Sequence, residues 1–207
     1  MLNRPDAIAA LNRAWPIICN ECLSVLGSEL HYQAMIYHAL RQEGQVPLKQ
    51  IGMNVKQYIP EVKSALFKQF VTTNHPEYRH GFEPIPDLVI FSPKVAADWR
   101  RRKRKQTIEC MLLVMEIKAS ERLEGRLSRG EITLDIRKLA AHREEVRHMN
   151  KDYDFYPVML VIDSARDPKE RMTEWSLFEC RSLAKKLDVE WRYISEQGCQ
   201  IERSNGN

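Results

Sequence analysis

Three segments of this 207-residue chain are apolar on both sides: PDLVIF (86–91), IECMLLVMEIK (108–118) and PVMLVID (157–163). Strands of that kind sit inside a sheet that helices cover on both faces. The segments around them fit such a layered fold. Residues 5–26 read as a helix with a kink or break at Pro16, and a second helix runs from an N-cap at Ser28 to Gly44. Residues 47–58 suggest a strand, 60–72 a short helix opened by Pro60, and 74–81 a loop. The stretch 93–107 reads as a connection or extended hairpin, and 122–131, with Gly125 and Gly130, as a loop. Ile136, Leu139, Ala140 and Val146 share one side of a helix over 135–149. A helix around 170–187 and a strand VEWRYI (189–194) follow, and the tail QIERSNGN is expected to be loose at its end. Helices enclosing strands, with α–β alternation in the second half, indicate an α/β fold: a central mixed β-sheet flanked by helices on both faces, in one domain over 1–207. Its core spans about 28–163, with helix 5–26 before it and the helix and strand 170–194 after it.

The formal net charge is +4, and it is local. Arg100, Arg101, Arg102, Lys103, Arg104 and Lys105 are consecutive, and without them the chain would be net negative. Such a run suits a phosphate-facing patch; the plainer alternatives are a solvated hairpin tip or a localisation-type signal. No apolar run approaches the roughly 18–20 residues of a membrane span, and the N-terminal residues lack a secretory pattern. The expectation is a cytoplasmic protein with no membrane partner. Five cysteines without framework spacing argue against a disulfide scaffold. Cys19-x-x-Cys22 lacks a second ligand pair for zinc, so buried thiols are expected.

The strand 108–118 poses the chemical question. Its apolar run continues into Glu116-Ile117-Lys118, where alternation points Glu116 and Lys118 the same way, about 7 Å apart. Their face would also carry Leu112 and Val114. A carboxylate and an ammonium on a buried face must pair, bind a metal or lose several kcal/mol in desolvation. Asp87 opens the strand PDLVIF, and antiparallel pairing would set it opposite Glu116. Two close carboxylates raise each other's pKa unless a cation lies between them. Their hard oxygens suit Mg²⁺ or Mn²⁺, with the Ile117 carbonyl as a further ligand. Lys118 would then hold or deprotonate the attacking water and offset transition-state charge.

Pro86-Asp87 followed by Glu116-Ile117-Lys118 on an apolar strand resembles the PD-(D/E)XK signature of the restriction-endonuclease-like nuclease superfamily. The order of elements agrees over roughly residues 28–163. The triplet alone is common, since Glu61–Lys63 and Asp167–Lys169 also form it. Only Asp87 and Glu116–Lys118 lie on consecutive apolar strands. The resemblance implies a restriction-endonuclease-like fold and a nuclease with a divalent metal held by Asp87 and Glu116. Many members add an acidic residue from the first core helix, where Glu29 is the matching position. The helix after the triplet often supplies a basic or polar residue, and Lys138 or His142 would serve. Members that cut both strands often dimerise, which implies a homodimer.

The expected function is therefore magnesium-dependent hydrolysis of DNA, endonucleolytic, with the run 100–105 and Arg122, Arg126 and Arg129 neutralising phosphates. The alternative is a nucleic-acid-binding protein that keeps the fold but does not cut. A third class is a partner-binding α/β protein whose basic run docks an acidic surface. No phosphate-binding glycine loop, GxSxG elbow or HExxH helix competes; His31 and His38, seven apart on one helix, could form a metal pair, with surface or core filler the plainer reading.

Overall fold

Asn3 opens the first helix, α1 (Arg4–Ser24), through a reciprocal capping box with Asp6. The computed structural model describes residues 2–72, 82–100 and 103–203. Within them α1 runs on through Pro16, where a break was an open expectation. Proline removes one backbone bond, but Ala14, Trp15 and Ile18 on either side are buried and hold the helix against the sheet. Helix α2 (Glu29–Gln42) starts at its expected cap, with the Ser28 hydroxyl accepting from the His31 N–H.

Strand β1 (Ile51–Met53) lies inside the expected segment 47–58. Helix α3 (Ala65–Thr72) starts five residues after Pro60. The cause is tertiary: Glu145 accepts from the Lys63 and Ser64 N–H groups at 2.7 and 2.5 Å, and the Ser64 hydroxyl accepts from the Phe67 N–H. Strand β2 (Leu88–Phe91) is followed by a turn of 3₁₀ helix at Pro93–Val95 and by helix α4 (Gln106–Glu109). The described part of 93–107 is thus a connection with helical turns rather than an extended hairpin. Strand β3 (Met111–Ala119) carries the triplet.

Helix α5 (Arg129–Met149) begins six residues earlier than expected, because Ser128 caps it at the Glu131 N–H and Ile132 in its first turn is buried. Strand β4 (Tyr156–Asp163), helix α6 (Glu174–Lys186) and strand β5 (Glu190–Ser195) follow as expected. Part of the tail is also ordered into a strand, β6 (Gly198–Glu202), which pairs antiparallel with β5. The stretch 74–81, Arg101, Arg102 and residues 204–207 lie outside the described residues.

The sheet has six strands in sequence order, β1 to β6. β1, β2 and β3 are antiparallel neighbours, β3–β4 and β4–β5 are parallel, and β6 closes antiparallel. Parallel neighbours need crossovers, and α5 and α6 supply them. Both crossovers step in the same direction across the sheet, so right-handed connections put both helices on one face. There Ile132, Ile136, Leu139, Cys180 and Ala184 pack with Val114, Met159, Val161 and Trp191. On the other face Leu11, Ile18, Tyr32 and Ile36 of α1 and α2 cover Leu113, Met115, Ile117 and Leu160. The protein is an α/β fold with a mixed sheet between helical layers, and α1 is a structural part of one layer.

One register irregularity corrects the expected face. Ile90 pairs with Leu113 but Phe91 pairs with Met111, so Leu112 is the extra residue of a bulge. It joins the α1–α2 side, while Val114 stays on the α5 side with Glu116 and Lys118. Two further features escaped the sequence. Cys19 on α1 and Cys199 on β6 form a disulfide across 180 residues, against the expectation of thiols throughout. Only folding brings these two positions together, and no spacing rule reports it. Cys22, Cys110 and Cys180 are buried thiols as expected. Inside β5, Glu190 and Arg192 form a fully buried ion pair at 2.6 Å. Tyr156 donates to Glu190, Arg192 donates to Asn12, and the guanidinium lies over the Trp15 ring, tying α1 to the sheet. No described helix is long and apolar enough to cross a membrane.

Candidate active site at the carboxyl end of β3

The register places the candidate residues. Leu88 pairs with Met115, so one step further Asp87 stands opposite Glu116, as the two apolar strands imply. Asp87 is then fixed by two donors: its Oδ2 accepts from the Ile117 N–H at 2.6 Å and its Oδ1 from Gln33 Nε2 at 2.7 Å. Asn54 Nδ2 donates in turn to the Gln33 carbonyl oxygen at 3.0 Å, and the Asn54 N–H donates to the Asp87 carbonyl at 3.1 Å. Asn54 has φ +48°, a left-handed conformation that asparagine tolerates well. α2 and the β1 turn thus orient one carboxylate at the end of β2.

Glu116 differs. It faces the α5 layer, partly buried, and has no hydrogen-bond or ion-pair partner among the described residues. Burial raises its pKa well above the ordinary range, with Asp87 and Asp135 adding to the rise. Asp87 is pushed up to about 6, again by burial first; Glu29 and Asp135 push the same way, against the Ile117 N–H and Lys118. Two facing carboxylates that hold their protons this strongly form a site with an unmet demand for positive charge.

Lys118 acts on both carboxylates but meets that demand only in part. Its Nζ lies 3.2 Å from Glu29 Oε2 and 3.2 Å from Asp135 Oδ2. Burial works to lower its pKa, but these two carboxylates outweigh it and the net direction is upward. Lys118 is a held cation. Glu29, whose own pKa is raised chiefly by burial, is engaged with that ammonium.

Of the residues expected here, the structure brings together Asp87, Glu116, Lys118, Glu29 and Lys138. Lys138 Nζ sits 3.6 Å from Asp135 Oδ1. The backbone of Ile117 serves through its N–H to Asp87, and its carbonyl oxygen lies 3.5 Å from Lys118 Nζ. His142 is nearby in α5 but buried at 2% exposure. Two residues went unnoticed in the sequence, Gln33 and Asp135. Helical spacing held a signal for each: Gln33 follows Glu29 by four residues, and Asp135 precedes Lys138 by three.

The described members of the basic run stand at the opposite end of β3 from the triplet. The run precedes β3, whereas the triplet ends it, and seven residues of strand separate the two ends by about 23 Å. Arg100 and Arg104 pair with Asp98 at 3.0 and 2.9 Å, Lys105 pairs with Glu109 at 2.7 Å, and Lys103 Nζ lies over the Tyr58 ring. Arg122 pairs with Glu131 at 3.5 Å, and Arg129 with Glu179. Arg126 donates to the Lys169 carbonyl.

Two cavities meet at Asp135 and Lys138. One, of about 430 Å³, has Glu116 at one end and Phe82, Glu83, Pro84, Ile85, Leu139 and His142 around the rest. The other, of about 350 Å³, runs past Glu29 and Lys118 to Arg122 and Arg126. Among the described residues no three carboxylate, imidazole or thiol groups converge as a metal cage. Magnesium, however, is commonly held by one or two carboxylates with water and substrate oxygens completing its shell. Glu116, without a partner among the described residues, opposite Asp87 and open to a cavity, fits that mode. No family model matches this chain, and neither a curated protein nor a solved structure is similar to it.

Proposed function

We propose that this protein is a metal-dependent endonuclease that hydrolyses DNA phosphodiester bonds, with a restriction-endonuclease-like sheet. In this reading Asp87 and Glu116 hold Mg²⁺, with Mn²⁺ able to replace it. The observation that carries the reading is Glu116: an enclosed carboxylate without a hydrogen-bond or ion-pair partner among the described residues, facing a second carboxylate whose pKa is also raised.

The bound ion would supply Lewis acidity and a more acidic water. The chain's own residues do the rest. Asp87 is aimed by Gln33 and the Ile117 N–H, so its orientation is set before any ligand arrives. Lys118, kept protonated between Glu29 and Asp135, turns its remaining N–H towards the attacking water, and its charge offsets that developing on the phosphate. A lysine held this way is a poor proton acceptor, so it orients the water rather than deprotonating it. Lys138 adds positive charge where the two cavities meet.

Titrating Mn²⁺ calorimetrically into the wild type and Asp87→Ala, alongside plasmid incubation with the same metal and Lys118→Ala, tests the reading. Metal binding lost in the first variant and nicking lost in both would support it. Nicking by either variant at the wild-type rate would overturn the assignment. DNA binding with no nicking by the wild type would leave a non-catalytic nucleic-acid binder.

A further inference from the structure

The larger cavity reaches beyond what phosphodiester hydrolysis needs. Its polar end is the candidate metal site, and beyond it the lining is mostly apolar and aromatic, with Glu83 the one carboxylate among those residues. His142 follows Asp135 by seven residues on α5, two turns or about 10 Å along the helix axis. That distance takes the cavity from the phosphate position to where the base of the same nucleotide would reach. The His142 ring packs against Phe155 at 5.0 Å and edge-on to Phe82 at 6.3 Å. At 2% exposure its Nε2 has no hydrogen-bond partner among the described residues. Burial keeps the ring neutral, its pKa lowered to about 3.

A buried ring nitrogen without a partner is an exception in native proteins and points to a missing hydrogen-bonding group. A neutral imidazole offers one donor and one acceptor. Pro84, Ile85 and Leu139 give flat apolar walls. The volume of about 430 Å³ falls among those that receive small organic ligands. A planar heterocycle with polar edges, joined to a phosphate, satisfies both ends at once.

Building on the nuclease reading, we propose that this cavity takes a nucleobase turned out of its stack beside the scissile phosphate. The base stacks between the apolar walls and hydrogen-bonds to His142, while its phosphate lies at Glu116, Lys118 and Lys138. Extruding a paired base is costly, and least so for a base that is mismatched or already single-stranded. The preferred substrate is therefore DNA with an unpaired nucleotide at the cut.

The test uses the full chain with Mn²⁺ and three oligonucleotides of one sequence: a perfect duplex, the same duplex with one unpaired nucleotide, and that nucleotide made abasic. The unpaired substrate is expected to be cut faster by roughly ten- to hundred-fold, the range set by the cost of extruding a paired base. The abasic substrate should lose that advantage. His142→Phe, which keeps the packing and removes the nitrogens, should reduce the preference. Ile85→Trp, at a position 45% exposed on the cavity mouth, should abolish it by narrowing the entrance. A 2-aminopurine at the unpaired position, bound to the Lys118→Ala protein, should change its fluorescence on entering the cavity. Cleavage that depends on Lys118 but is equal on all three substrates would overturn the cavity proposal and leave the nuclease reading standing. No Lys118-dependent cleavage of any substrate would overturn both.

Discussion

Replacing Asp87 by asparagine removes a charge that the folded protein holds at a cost. Asp87 rises from the ordinary 3.8 to about 6 because it is buried near Glu29 and Asp135. Its folded-state pKa exceeds its unfolded one, so the unfolded chain ionises first. Stability from this group is highest below about pH 4 and falls as pH rises towards about 6. The distance from 3.8 to about 6 corresponds to a loss of about 3 kcal/mol at 1.36 kcal/mol per pH unit. Asparagine mimics the protonated side chain and should recover most of that loss at pH 7.5. One of the two donors, Gln33 Nε2 or the Ile117 N–H, must then share a single carbonyl oxygen, which returns about 1 kcal/mol. The expected net change for Asp87→Asn is a gain of about 2 kcal/mol at pH 7.5 with chelator present, and a loss of about 1 kcal/mol at pH 3.5, where only the hydrogen-bond term remains. Urea unfolding at both pH values measures it. Added Mg²⁺ should stabilise the wild type at pH 7.5 but not the variant, because a cation offsets the charge that asparagine lacks. A variant less stable than wild type at pH 7.5, with a wild-type stability that is flat from pH 4 to 6.5, would refute the reasoning.

Other outcomes follow from the same structure. Neutralising Arg100, Lys103, Arg104 and Lys105 together should leave the rate of cleavage at saturating DNA within about two-fold, since the run lies about 23 Å along β3 from Lys118. A loss as large as that of Lys118→Ala would show that the run acts at the cut. Arg192→Ala strands the Glu190 carboxylate inside the sheet and should cost about 3–5 kcal/mol in chemical denaturation, whereas a loss below 1 kcal/mol would show that the pair is not confined as described. Alkylation of the denatured, unreduced protein should modify three of the five cysteines, leaving Cys19 and Cys199 protected. Reduction should then lower stability by up to about 5 kcal/mol, the chain-entropy value for so long a loop. Five modified cysteines before reduction would contradict the bridge.

The sequence by itself determined which segments must be buried. PDLVIF, IECMLLVMEIK and PVMLVID read as interior strands, and they are so over Leu88–Phe91, Met111–Ala119 and Tyr156–Asp163, although Ile108 and Glu109 belong to α4. The amphipathic segments around them read as covering helices, because burial pattern is a local property. The same patterns put Asp87 opposite Glu116, since adjacent antiparallel strands leave few registers. Caps written in the chain, such as Ser28, were legible too. What only the tertiary structure decided depends on contacts between distant residues. The Leu112 bulge shifts one residue to the other face through strand pairing. Glu145 sets the start of α3 from another helix, and Cys199 reaches Cys19 only after β6 folds onto β5. At the candidate site the sequence supplied a carboxylate pair and a lysine but not their states. Lys118 is a fixed cation because α2 and α5 each bring it a carboxylate, while Lys138 of α5 pairs with Asp135 and leaves Glu116 without an ion pair among the described residues. Charge balance at a site depends on distances of a few ångströms, and those are set by packing.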